Sequence, residues 1–166
     1  MEYLTVALIP VHRKIDFRCG NDLLDNYLHN QAKQDAKRYL SVCFIMPTEG
    51  NAIQGYYTLS NAGIDKNLLP EDLKNKLPFN YLNLPATLLG RLAVDLTFKR
   101  KGIGELLLMD ALKRSYNTSL KSIASMAVVV DPIDDNAVNF YKQYGFIVLP
   151  DSGKMFLAMK TISQLF

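Results

Sequence analysis

Two apolar runs, "ATLLGRLAVD" (86–95) and "SIASMAVVVD" (122–131), constrain the fold most. The second is nearly continuous, as a central parallel strand buried on both faces requires. Between them lie a basic, glycine-containing turn, "FKRKGIG", and a pattern that predicts a helix from about Ile103 to Tyr116. Strand, turn, helix, strand is a crossover unit, the connection that parallel strands need.

The other segments arrange themselves around this unit. "LTVALIP" (4–10) reads as a short strand closed by a proline. "GNDLLDNYLHNQAKQDAKRYL" reads as a helix, with Asn21 or Asp22 to cap it and Leu24, Leu28 and Ala32 at four-residue steps. "SVCFIM" (41–46) and "AIQGYYTLS" (52–60) form a hairpin across "PTEGN". Residues 61–85 hold Pro70, Pro78 and Pro85 and predict a long irregular connection with one short helix near "PEDLKNKL". After the central run, "DDNAVNFYKQYGF" predicts a short helix. Asp134 caps it, Ala137, Phe140, Tyr141 and Tyr144 line one face, and Gly145 suits the position just past its end. "FIVLP" and "KMFLAM" close the chain as a hairpin across "DSGK". The order β-α-β-β-β-α-β-α-β-β describes an α/β (α+β) protein, a mixed sheet with helices on its faces.

A length of 166 residues fits one domain, 1–166. Hydrophobic residues at 49% and charged residues at 21% are ordinary for a globular chain, and the net charge of +3 permits an anionic partner without demanding one. No apolar run reaches the ~20 residues that span a membrane, and the N-terminus lacks the pattern of a signal peptide. Two cysteines, Cys19 and Cys43, make no disulfide framework, and free thiols suit the cytoplasm. His12 and His29 stand alone, so no metal site is expected.

The turn "FKRKGIGELLL" (98–108) has the character of a phosphate site. A Walker loop needs Lys-Ser or Lys-Thr after its glycines, and none follows. A dinucleotide fingerprint needs a third glycine, where this chain has Leu107. What remains is strand, basic turn, G-x-G and helix. Gly102 and Gly104 let the backbone approach a ligand closely, and the N–H groups of residues 99–105 lie unpaired where the helix dipole favours an anion.

These segments resemble the GNAT superfamily of acetyl-CoA-dependent N-acetyltransferases, whose hallmark is a [QR]-x-x-G-x-[GA] turn gripping the coenzyme A pyrophosphate through main-chain amides. Here it reads Lys99-Arg100-Lys101-Gly102-Ile103-Gly104, followed by Glu105; Lys99 departs from the usual Gln or Arg. "RLAVD" is similar to the strand that pairs with the pantetheine arm, which implies cofactor contacts at Leu92, Ala93 and Val94. "AVNFYKQYGF" matches a late segment whose tyrosine protonates the departing thiolate, and that role falls on Tyr141. The resemblance implies the GNAT fold: a mixed, mostly antiparallel central sheet, helices on both faces, and parallel central strands that part. "FRCGNDLLDNYLHNQAKQD", "GYYTLS" and "LLGRLAVD" look like the GNAT toxins of bacterial toxin–antitoxin pairs, which acetylate the α-amine of aminoacyl-tRNA.

Acetyl transfer needs a neutral amine, a donor for the oxyanion and a proton for the leaving thiolate. A free main-chain N–H near Val94 is the candidate oxyanion donor. Tyr141 is the candidate acid, since a phenol of pKa ~10 stays protonated at neutral pH; Tyr144 is the fallback. No side chain stands out as general base: Asp95, Asp131, Asp134 and Asp135 each suit a strand end or a cap. A lysine amine, with pKa ~10.4, usually needs such a base, whereas the α-amine of an aminoacyl ester is far less basic. Cys19 and Cys43 suit core packing better than an acetyl-cysteine route. Lys33, Lys37, Arg38, Arg91, Lys113, Arg114 and Lys121 are the residues available for a tRNA-facing surface, and solvated helix faces are the plainer reading of them.

The expected partners are aminoacyl-tRNA, a small ribbon-helix-helix antitoxin and a second copy of the chain, with no membrane. An acetyltransferase for a small-molecule or protein amine, and a non-catalytic acyl-CoA-binding module, are the competing readings.

Overall fold

The computed structural model describes residues 2–166. The strands are β1 (Val6–Ala7), β2 (Val42–Pro47), β3 (Ile53–Asp65), β4 (Asn83–Val94), β5 (Ala127–Val130), β6 (Ile147–Leu149) and β7 (Lys154–Ala158). The helices are α1 (Asp22–Asn26), α2 (Ala32–Lys37), α3 (Glu71–Lys74), α4 (Ile103–Lys121), α5 (Asp135–Gln143) and α6 (Met159–Ile162). The hydrogen-bonded strand order is β1-β2-β3-β4-β5-β7-β6. The sheet is mixed and mostly antiparallel with one parallel pair, as expected. The parallel pair is β4 and β5, joined by the crossover through α4.

The chain divides into two compact units. One comprises residues up to Ser60 together with Leu89–Arg114; the other comprises Asn61–Leu88 and Ser115–Phe166. In the first unit, Asn21 caps α1 by accepting the N–H of Leu24 at 3.1 Å. The β2–β3 hairpin is closed by Thr48, whose Oγ1 accepts the N–H of Ala52, and by Asn51 in a left-handed conformation. The core packs Leu28, Tyr27 and Phe17 against Ile45, Tyr56 and Ala93. In the second unit, Ala127 and Val129 of β5 join Leu84, Ala86, Ile64, Leu149 and Phe156. All four residues of β5 are buried, the property its apolar run foretold.

Several boundaries differ from expectation. The first strand shrinks to Val6–Ala7, and β5 begins only at Ala127. The irregular connection of 61–85 is shorter than expected, because β3 continues to Asp65 and β4 begins at Asn83. Pro85 lies inside β4 and lacks an N–H for the ladder, yet its carbonyl accepts the Met126 N–H at 2.9 Å. Helix α4 runs past Tyr116 to Lys121; Tyr116 stacks on Phe166 at 6.4 Å, a contact across fifty residues of chain. Between α1 and α2, Tyr27–Gln31 form a π-helical turn, a local widening that no periodicity announces.

β4 carries an extra residue. Lys66 N–H donates to Leu82 O at one end of the β3–β4 ladder, and Asp95 N–H to Gln54 O at the other. Between those bonds β4 is one residue longer than β3, the signature of a β-bulge. The buried positions of β4 change phase accordingly, from Leu84 and Ala86 to Leu89 and Ala93.

Candidate active site

In the first unit, β4 delivers the chain into the basic turn. Asp95 ends the strand with a buried carboxylate that accepts from Arg18 N–H at 2.9 Å and Thr97 N–H at 2.8 Å. The carboxylate thereby caps the short 3-10 turn Leu96–Phe98, the structural role its position suggested. Arg100 at φ +62° and Gly102 at φ +76° are both left-handed, and successive N–H groups in such a curl form an anion-binding concavity. The first helical bond of α4 is Leu106 N–H to Gly102 O at 3.1 Å. The N–H groups of Ile103, Gly104 and Glu105 therefore have no acceptor within the helix. A Cβ built on Gly102 meets nothing within 4 Å, so the space beside it is open.

The basic trio divides its labour. Lys99 Nζ donates to Cys19 O at 3.0 Å and ties the turn to the segment before α1; its N–H, expected to be unpaired, donates instead to Leu96 O at 3.4 Å and closes the 3-10 turn. Lys101 lies over the Phe98 ring at 5.6 Å, and Arg100 is exposed. Upstream, Leu92 and Val94 are half-buried and Ala93 is buried. Since Asp95 turns its N–H to β3, the alternation of an antiparallel ladder points the Val94 N–H away from β3.

In the second unit, Asp134 caps α5 by accepting the Ala137 N–H at 2.8 Å, and Gly145 at φ +91° follows its end. The Tyr141 ring is buried between Phe140 and Phe146, each at 5.2 Å between ring centroids. Its hydroxyl makes no hydrogen bond to the described residues, yet no buried side-chain polar atom among them lacks a partner. The hydroxyl is therefore not fully sealed, although the ring is enclosed. Burial pushes the phenol pKa up, so Tyr141 remains a proton donor at neutral pH. Tyr144 is half-buried against Phe140.

The first unit thus gathers Leu92–Val94 and Lys99–Glu105, and Tyr141 belongs to the second. Both cysteines are buried; burial raises Cys19 to about 11 and Cys43 to about 12, which leaves neither as a thiolate nucleophile. Among the described residues no group of three or more His, Cys, Asp or Glu side chains is placed to hold a metal ion.

The basic set is corrected at two positions, neither of which lies on a solvated helix face. Arg114 is sandwiched between Tyr3 and Phe44, 3.9 Å from each ring centroid, and donates to Tyr57 Oη and to Thr5. It pairs with the buried Asp110 at 3.9 Å. Arg91 lies over the Tyr27 ring, its Cζ 3.6 Å from the centroid. Residues at positions 3, 27, 44 and 57 are remote in sequence, so no local pattern reveals these contacts. Lys33, Lys37, Arg38 and Lys121 are exposed.

Comparison with known proteins defines the class. The Acetyltransferase (GNAT) domain family matches residues 85–156, which include all but the first two residues of β4, the basic turn and Tyr141. The chain belongs to the GNAT acetyltransferases, and it is an acetyl-CoA-dependent N-acetyltransferase. It is 31% identical over 150 residues to the tRNA-acetylating toxin of Mycobacterium tuberculosis, covering 90% of this chain and 87% of that protein. Among solved structures, AtaT complexed with acetyl-methionyl-tRNAfMet superposes with a TM-score of 0.89 at 26% identity, covering 99% of both chains. The crystal structure of a tyrosine-to-phenylalanine mutant of KacT superposes with a TM-score of 0.87 at 26% identity, covering 98% of this chain and 99% of that one. No described helix is long and apolar enough to cross a membrane.

Proposed function

We propose that this enzyme transfers the acetyl group of acetyl-CoA to the α-amine of an aminoacyl-tRNA, by direct attack, in the cytoplasm. The observation that carries this reading is the near-complete match to a tRNA-acetylating toxin, 90% of this chain against 87% of that protein. The main-chain N–H groups of Arg100, Lys101, Gly102, Ile103, Gly104 and Glu105 hold the pyrophosphate, supported by the two left-handed residues and the open space beside Gly102; the Lys99 N–H is already bonded to Leu96 O. Leu92, Ala93 and Val94 pair with the pantetheine arm, and the Val94 N–H, directed away from β3, meets the developing oxyanion. Tyr141 gives its proton to the departing thiolate; its raised pKa and unpaired hydroxyl support an acid in preference to a base. The α-amine of an aminoacyl ester is largely neutral at pH 7 and attacks without a dedicated base. A small ribbon-helix-helix antitoxin is the expected protein partner.

The test supplies charged tRNA and labelled acetyl-CoA to the purified protein. Label enters the tRNA fraction and is lost on ester hydrolysis. Tyr141→Phe lowers kcat by roughly a hundredfold or more with the acetyl-CoA KM little changed, the range a general acid contributes. Label in lysine, polyamine or protein but not in charged tRNA overturns the acceptor. An unaltered kcat in the variant overturns the acid.

A further inference from the structure

Arg91 is the one basic residue of β4, and its setting is built. Its guanidinium lies over the Tyr27 ring, 3.6 Å from the centroid. Tyr27 is only 3% exposed and cannot yield. Its hydroxyl bonds to Asp35 Oδ2 at 3.2 Å and to Ser41 Oγ at 3.0 Å, and its ring stacks on Tyr56. Tyr56 is itself anchored to Leu24 O at 2.7 Å. Tyr27 also begins the π-helical turn, which sets it off the register of α1.

Stacking orients a guanidinium without using its N–H donors, which lie in its plane. Among the described residues those donors make no hydrogen bond, and Arg91 has no carboxylate partner. The other half-buried arginine among the described residues, Arg114, is bonded to Tyr57 and Thr5, and even the exposed Arg18 is bonded to Ile15 O, Phe17 O and His29. Arg91 is a held cation with an open fork.

The charge it awaits follows from its place. Arg91 precedes Leu92–Val94, roughly 10 Å along the strand from the end of β4. The pantetheine arm expected there is uncharged, and the pyrophosphate belongs to the turn at 99–105. An anion beside Arg91 therefore comes from the acceptor. We infer that Arg91 binds a phosphate of the tRNA acceptor end, the phosphodiester one ribose away from the aminoacyl ester, and so positions the α-amine. This inference rests on the aminoacyl-tRNA reading above.

Steady-state kinetics on the full-length enzyme separate the two. Wild-type enzyme is assayed first; absence of transfer to charged tRNA, with transfer to other amines, removes both. Given transfer, Arg91→Gln raises the KM for aminoacyl-tRNA about tenfold or more and leaves the acetyl-CoA KM unchanged. The slope of log KM against log salt falls by about one in magnitude, as loss of a single phosphate contact predicts. Arg91→Lys keeps the slope, because the charge remains, but raises the KM, because the planar fork is lost. An aminoacyl-tRNA KM and salt slope unchanged in Arg91→Gln, or equal rises in both KM values, overturn the inference. Should Arg91→Gln fail to fold, an unchanged tRNA KM in Arg91→Lys overturns it equally.

Discussion

At the residue scale, the basic turn depends on two backbone conformations as much as on its charges. Gly102 adopts φ +76° with open space beside it, so a side chain there meets no atom but strains the backbone. A non-glycine residue in this conformation costs about 1–2 kcal/mol, and a β-branched one is at the upper end. Gly102→Val therefore raises the acetyl-CoA KM roughly five- to thirtyfold if the strain is released by reshaping the turn. Initial-rate kinetics at saturating acceptor check this, and an unchanged KM means the turn does not hold the coenzyme. Arg100 tolerates the same region at φ +62° with its side chain exposed. Lys99, the departure from the family motif, is spent on the Cys19 carbonyl and stiffens the turn instead of reaching outward.

At the element scale, the start of α4 is set by a gap in β3. A Cβ on Gly55 would lie 2.6 Å from Leu107 Cδ1 and 2.8 Å from Ala93 O. The second atom is strand backbone and cannot turn aside. Ile103 Cγ2 follows at 3.4 Å, so the missing side chain lets the first turns of α4 settle on the sheet beside Ala93. Gly55→Ala is expected to destabilise by about 1–3 kcal/mol, the cost of overpacking. Gly63→Ala, whose Cβ has its nearest neighbour at 4.0 Å, avoids that clash. Urea unfolding of the two variants makes the comparison; equal midpoints would refute the packing argument. The sequence shows Gly55 only as one residue of a strand, and a glycine inside a strand is where another element approaches closely. Its partner is not, because Leu107 lies some fifty residues on.

At the scale of the whole molecule, buried neutral groups govern stability against pH. Burial raises Cys19 to about 11 and Cys43 to about 12, and pushes Tyr56, Tyr57 and Tyr141 above the ordinary phenol. A raised acid binds its proton more tightly in the folded state. Its contribution is complete below the unfolded values of 9.0 for the thiols and 10.0 for the phenols, and is lost as pH rises through the folded values. His12 acts at the other end. Burial lowers it from 6.5 while its Nδ1 accepts the Ile9 N–H, so its contribution is present above 6.5 and lost as pH falls. Among these groups the stability plateau runs from about pH 7 to about pH 9. Urea midpoints across pH 5–11 test the sign; a midpoint still climbing above about pH 10 contradicts it.

The sequence by itself determined the strand order, the character of the basic turn, the cap at Asp134 and the break at Gly145, and it narrowed the first cap to Asn21 or Asp22, of which the structure uses Asn21. These rest on period, turn chemistry and capping, which act within a few residues. Tertiary structure alone decided the extra residue in β4, the extension of β3 to Asp65 and the π-helical turn at Tyr27. It also decided which cations are free. Arg91 and Arg114 read identically in the chain, yet one lies with open donors on Tyr27 and the other is bonded between Tyr3 and Phe44. Such differences arise from packing between distant segments, and no local pattern encodes which ring or carbonyl a side chain will meet.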